Sequence, residues 1–139
     1  MNQPGNRAGR TSLAVAAAVS ICAALVALEA PAGEWSLEYQ LKAACLYNFA
    51  KFVEWPAEAF ANEKAPIVIG ILGEDPFGME FDKAIKDKTA SDRTVVIKRF
   101  QRAADVGECH ILFVSDSDRQ GPRQVAAALK NRSILTVGE

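Results

Sequence analysis

Ile67-Val68-Ile69-Gly70-Ile71-Leu72-Gly73-Glu74-Asp75-Pro76 is the stretch on which the fold turns. Its first six residues are apolar and rich in β-branched side chains, with no polar alternation. A strand with one wet face alternates, so an unbroken run belongs to a strand covered on both faces, as in a parallel sheet. Gly73 to Pro76 then turns the chain: Asp75 can cap, and Pro76 suits the first turn of a helix. Phe77, Phe81, Ala84 and Ile85 repeat at helical spacing and carry that helix to about Lys88. Strand, tight turn and helix in this order form one half of a βαβ unit.

The same grammar continues outward. Downstream, Thr94 to Lys98 and Ile111 to Val114 read as strands. Pro122 to Lys130 reads as a helix with Val125, Ala128 and Leu129 inward, and Ile134 to Val137 as a last strand. Upstream, Ser36 is a good N-cap. Leu37, Leu41, Ala44, Cys45, Phe49, Phe52 and Val53 form an apolar helical stripe, expected to face the core. Leu46 and Tyr47 widen it, so this helix is expected to pack on more than one neighbour. Pro56 ends it near Glu54, and Ala57 to Ala65 reads as a polar connection. Alternating strands and helices predict an α/β fold: a single three-layer domain with a mostly parallel central sheet flanked by helices.

Before this domain, Arg7 and Arg10 precede a run from Leu13 to Leu28 in which only Ser20 is polar, and small residues follow at Ala30 and Ala32. Basic, apolar and small-residue regions in that order describe a cleavable signal peptide, residues 1–32. The run is short for a membrane span. The domain at 33–139 is therefore expected in the periplasm. The chain stops at Glu139 straight after a strand, and the domain is expected to be incomplete at its C-terminus. Of the 139 residues, 50% are apolar and 24% charged, with a net charge of −1. That balance excludes disorder, and it lacks the basic excess that nucleic-acid binding requires.

Few residues carry chemistry. Gly73 and Gly78 have the outer spacing of a phosphate loop, but Met79 and Glu80 stand where Lys and Ser or Thr are needed. Glu74, Asp75, Asp116 and Asp118 follow the ends of two strands, where open parallel sheets place ligand crevices. They are the candidate crevice, with helix caps and solvated turns as the plainer reading. His110 is the single histidine, so it assembles neither a metal cluster nor a Ser-His-Asp triad. Beyond the leader the thiols are Cys45 and Cys109, either bridged or free. No catalytic, cofactor or metal residues are assigned, and the protein is expected not to be an enzyme.

The segment from Glu38 to Pro56, with Tyr47-Asn48-Phe49 at its centre, resembles the opening of the YfiR family of exported bacterial proteins. Ile71 to Gly78, Cys109 to Val114 and Ile134 to Gly138 fit in order behind it. The resemblance implies a small periplasmic α/β domain, often a homodimer, that works by binding. Its namesake represses a membrane-bound diguanylate cyclase through that enzyme's periplasmic region, controlling cyclic di-GMP and biofilm formation. Other members serve other membrane sensors, histidine kinases among them. The chain departs from the pattern in having Cys45 where a bulky apolar residue is usual. It also lacks the strand-one cysteine that many members pair with the residue matching Cys109, and it lacks the further tens of residues beyond Gly138. The expected function is repression of a membrane diguanylate cyclase or another membrane sensor. The alternatives are a periplasmic small-ligand binder and an accessory subunit of a sensor histidine kinase. Trp35, Phe60 and Phe77, at element ends, are the candidate partner contacts.

Overall fold

The structure is a computed structural model that describes residues 36–118 and 120–139; the expected leader and Trp35 lie outside them. Helix α1 (Leu37–Phe52) precedes strand β1 (Ile67–Leu72), helix α2 (Gly78–Ile85), strands β2 (Thr89–Ala90), β3 (Arg93–Phe100) and β4 (Ile111–Val114), helix α3 (Gly121–Ala128) and strand β5 (Leu135–Gly138). The sheet order is β2-β3-β1-β4-β5. β3, β1, β4 and β5 run parallel, and only β2 is antiparallel, to β3.

β1 lies at the centre, and all six of its residues are buried. Ile67, Ile69 and Ile71 face one layer with Ala43, Leu46 and Ala50 of α1, Phe77, and Phe81 and Ile85 of α2. Leu72 faces the other, with Leu112, Cys109, Ala103, Val106, and Val125 and Leu129 at α3. The absence of alternation in β1 therefore has its expected cause: a helical layer on each side. Gly70 is required there. A Cβ on it would lie 2.7 Å from Cys109 Sγ and 2.8 Å from Leu112 Cδ1, closer than packed atoms approach.

Three local features differ from the sequence expectation. β2 pairs with β3 through Ser91 and Asp92, both at positive φ (50° and 62°), as a tight hairpin turn needs. Ser-Asp lacks the glycine that usually announces such a turn. α2 starts at Gly78, two residues later than Pro76, because Asp75 Oδ1 accepts from the Phe77 amide at 2.7 Å and holds a turn ahead of the helix.

The third concerns α1, whose Ser36 cap accepts from the Tyr39 amide. The stripe expected to face the core faces outward. Leu37, Leu41 and Phe52 are 80%, 66% and 77% exposed. The buried face is Ala43, Leu46 and Ala50. Two alanines let the helix axis approach the isoleucines of β1, and Leu46 between them fills the space that remains.

Candidate functional site

β1 connects to β3 on one side and β4 to β5 on the other, so the strand order reverses between β1 and β4. Ligand crevices in open α/β sheets form at the carboxyl ends of such strands. Here Ser115 and Ser117 close the gap. Ser117 Oγ accepts from the Glu74 amide at 2.7 Å, Ser115 N–H donates to the Leu72 carbonyl, and the two hydroxyls lie 3.2 Å apart.

The four acidic residues expected there point to separate tasks. Asp75 caps the α2 turn and pairs with Arg99 at 2.6 Å. Arg99 also takes Asp82 at 2.6 Å, so β3 is tied to both ends of the first turn of α2, and its charge is held firmly by the two carboxylates. Glu74 and Asp116 are exposed. Asp118 Oδ1 accepts from the Gln120 amide, and its Oδ2 is buried without a partner. Among the described residues no group of three His, Cys, Asp or Glu could hold a metal ion.

Beside this end lies a cavity of about 370 Å³ lined by Val114, Asp116, Asp118, Pro122, Val125 and Thr136. Glu139 closes its rim, accepting from the Asp116 amide (3.0 Å), Lys42 Nζ (3.0 Å) and Tyr39 Oη (2.8 Å). The Asp116 amide, chiefly, and these two side chains hold its carboxyl below the usual carboxylate range.

At the amino end of the sheet His110 is buried, and both ring nitrogens are committed to main chain. Nδ1 accepts from the Val68 amide at 3.0 Å, and Nε2 lies 3.0 Å from the Ala59 carbonyl. Only the neutral tautomer with its proton on Nε2 satisfies both. Phe60 stacks on the ring at 4.4 Å and Trp55 meets it edge-on at 5.7 Å. Trp55 Nε1 donates to the His110 carbonyl, and Arg93, packed over Phe60, donates to the Asn62 and Ala65 carbonyls. The ring is thus a pin between β1, β4 and the segment from Trp55 to Ala65. Burial lowers its pKa. With both nitrogens used, it has no free site to take a proton from a substrate.

Cys45 and Cys109 are both free thiols, one exposed on α1 and the other buried under the opposite layer. Cys109 Sγ donates to the Ile111 carbonyl at 3.0 Å, and burial pushes its pKa up to about 11, which keeps it a thiol at neutral pH. Of the candidate contact residues, Phe60 is half-buried against His110. Phe77 is a correction: it is 1% exposed, enclosed by Tyr39, Phe81 and Phe113, because the turn at Asp75 folds it inward. Large exposed apolar side chains instead crowd the outer face of α1, with Met79 also exposed on α2. The sequence held the signal: α1 is apolar on two sides, and a single-layer contact buries only one. Among the described residues no helix is long and apolar enough to cross a membrane.

Residues 39–139 match the sequence model of YfiR/HmsC-like proteins, a family of regulators in cyclic di-GMP signalling. No curated protein matches the chain.

Proposed function

The chain belongs to the YfiR/HmsC-like family, and from that premise we propose that it is a periplasmic regulator that binds and represses a membrane-anchored diguanylate cyclase through the cyclase's periplasmic region. The observation that carries the reading is a family match running through every element of the domain, from α1 to β5. The geometry is compatible with binding in place of chemistry: His110 is engaged by backbone on both nitrogens, and Cys109 is protonated and enclosed. A domain that prefers a sensor's inactive state about 10⁴-fold over its active state holds the switch off, and its release turns the switch on.

The test is deletion of the gene in its native host, with cyclic di-GMP compared between the deletion and a complemented strain. Raised cyclic di-GMP on deletion, and co-purification of a cyclase, support repression. Co-purification of a sensor histidine kinase with unchanged cyclic di-GMP replaces the cyclase by a kinase as partner.

The cavity bordered by Asp116 and Asp118 supports a second reading, a periplasmic small-ligand binder, since its volume falls within the range of small-molecule sites. A Thr136→Trp variant, at an exposed position of the cavity lining, that fills the cavity and leaves cyclic di-GMP control intact would remove this reading.

A further inference from the structure

A second cavity, of about 440 Å³, opens at the amino ends of β1 and β3, and its lining includes Val53, Glu54, Trp55, Phe60, Ile67 and Arg93. The cavity beside Asp118 lies at the other end of the sheet. The aromatic walls are fixed from behind. Trp55 is anchored through Nε1 to the His110 carbonyl at 3.2 Å, and Phe60 by its stack on the His110 ring. The imidazole covers one face of Phe60 at 4.4 Å, so the Arg93 guanidinium, 3.8 Å from the ring centroid, takes the other.

Arg93 is held but not satisfied. Its Nη1 donates to the Ala65 carbonyl at 2.7 Å and the Asn62 carbonyl at 3.0 Å, which uses both protons of that nitrogen. Nε and Nη2 have no hydrogen-bond partner among the described residues, and none of the carboxylates there pairs with the charge. Arg102 shows what this edge of a guanidinium takes: its Nε and Nη2 each donate to one oxygen of Asp105 at 2.9 Å. A purely structural task for Arg93 is complete with Nη1 and the Phe60 stack. Two parallel donors and a positive charge are left over beside an apolar wall. A side chain already tied to two carbonyls and a ring has little rotamer freedom left to lose on binding.

We propose that this cavity binds a small carboxylic acid with an apolar body. The carboxylate pairs with the Nε–Nη2 edge of Arg93, and the body lies against Trp55 and Val53. One guanidinium balances one negative charge, and exposed Glu54 on the same lining opposes a second. That selects a monoanion over a phosphate, which carries nearly two charges at neutral pH. The volume falls in the range of small-molecule sites. The inference is independent of the regulatory reading and of the cavity at Asp118.

The test uses the full chain, isotope-labelled for NMR, with benzoate as the probe. The Arg93 Nε–H and Trp55 Nε1–H signals should move together, with a dissociation constant of roughly 1 mM, as one ion pair and one ring contact allow. Benzamide keeps the ring without the charge, and acetate keeps the charge without the ring. Each should bind about tenfold more weakly or worse. Glu54→Gln removes a repelling charge at an exposed position and should tighten benzoate by about two- to threefold. Arg93→Lys keeps the charge but loses the parallel donors, and should weaken benzoate by about tenfold. Because Nη1 also closes the turn at 62–65, the fold of that variant is checked by circular dichroism. The comparison of the three ligands on the unaltered chain does not depend on it. No binding at roughly 20 mM benzoate overturns the proposal. So does equal binding of benzamide, or a set of shifts that gathers at Asp116 and Asp118 and leaves Arg93 unmoved. None of these outcomes bears on the cyclic di-GMP comparison, so the two readings fail separately.

Discussion

Acidifying the protein should loosen the pin at His110 before most other parts of the fold. In the native state the ring is neutral, with Nδ1 accepting from Val68 and Nε2 bonded to Ala59. A proton added at Nδ1 would turn an acceptor into a donor facing another donor, in a site with no water-exposed face. Burial is the largest cause of the lowered pKa. Arg93 on β3 and Lys98 further along it add to it, while Glu108 and the Ala59 carbonyl oppose it. In the unfolded chain the same ring titrates at about 6.5. Above that value both states are neutral and the full stabilisation is present. As pH falls below it, the unfolded state takes up a proton that the native state refuses. Stability then falls by about 1.4 kcal/mol per pH unit until the native pKa is reached. Against a typical total of about 5–15 kcal/mol this is a large fraction. Urea unfolding at pH 7.5, 6.5, 5.5 and 5.0 (roughly spanning the unfolded-state pKa) measures the slope. A His110→Gln variant, which does not titrate but can still accept from Val68, supplies the background from all carboxylates. The variant should be less stable at pH 7.5 by about 1–3 kcal/mol, the cost of a poorly paired buried amide, and its curve should be flatter below pH 6.5. Equal slopes for the two proteins would refute the reasoning. Loss of quenching at Trp55, which rests on the ring edge, should track the acid transition in the histidine protein alone.

Gly70→Ala should destabilise by about 1–3 kcal/mol through overpacking against Cys109, Leu112 and Phe100; thermal unfolding checks it. Gly70→Cys, by contrast, should bond to Cys109 in an oxidising compartment, because a Cβ at position 70 already lies 2.7 Å from Cys109 Sγ. The bridge is worth about 2–4 kcal/mol against the crowding of the same Cβ on Leu112 and Phe100, so the expected sign is an unfolding midpoint that falls when reductant is added. Phe77→Ala should cost about 3–5 kcal/mol, since the ring is enclosed by three aromatic neighbours; an effect on partner binding without loss of stability would contradict its burial. Alkylation of the native protein at pH 7.5 (roughly a unit below an unperturbed thiol pKa), read by peptide mapping, should leave Cys109 unmodified, as its raised pKa and burial require; labelling of Cys109 at the rate seen in urea would refute this.

The sequence by itself determined the sheet and its two covering layers. Ile67 to Leu72 has no wet face, and only a parallel strand between two helical layers accommodates that, so the central strand could be read locally. The segment from Glu38 to Pro56 likewise carried the family, since that match depends on residue order. The direction of α1 was a different kind of question. Its sequence offers two apolar stripes, one large and one small, and hydrophobicity alone ranks the large one as core. Only the packing against β1 decides between them: Ala43, Leu46 and Ala50 are buried beneath the helix, and Leu41 and Phe52 stay exposed. The neutrality of His110 was decided in the same way. A single histidine in a sequence has no partners to name; its two came from Val68 and Ala59, brought to it by the chain's return after α1 and by the pairing of β4 with β1. Periodicity is a property of neighbours along the chain. The choice of which face is buried, and the protonation of a buried ring, belong to contacts between residues far apart in it, and these exist only once the sheet has formed.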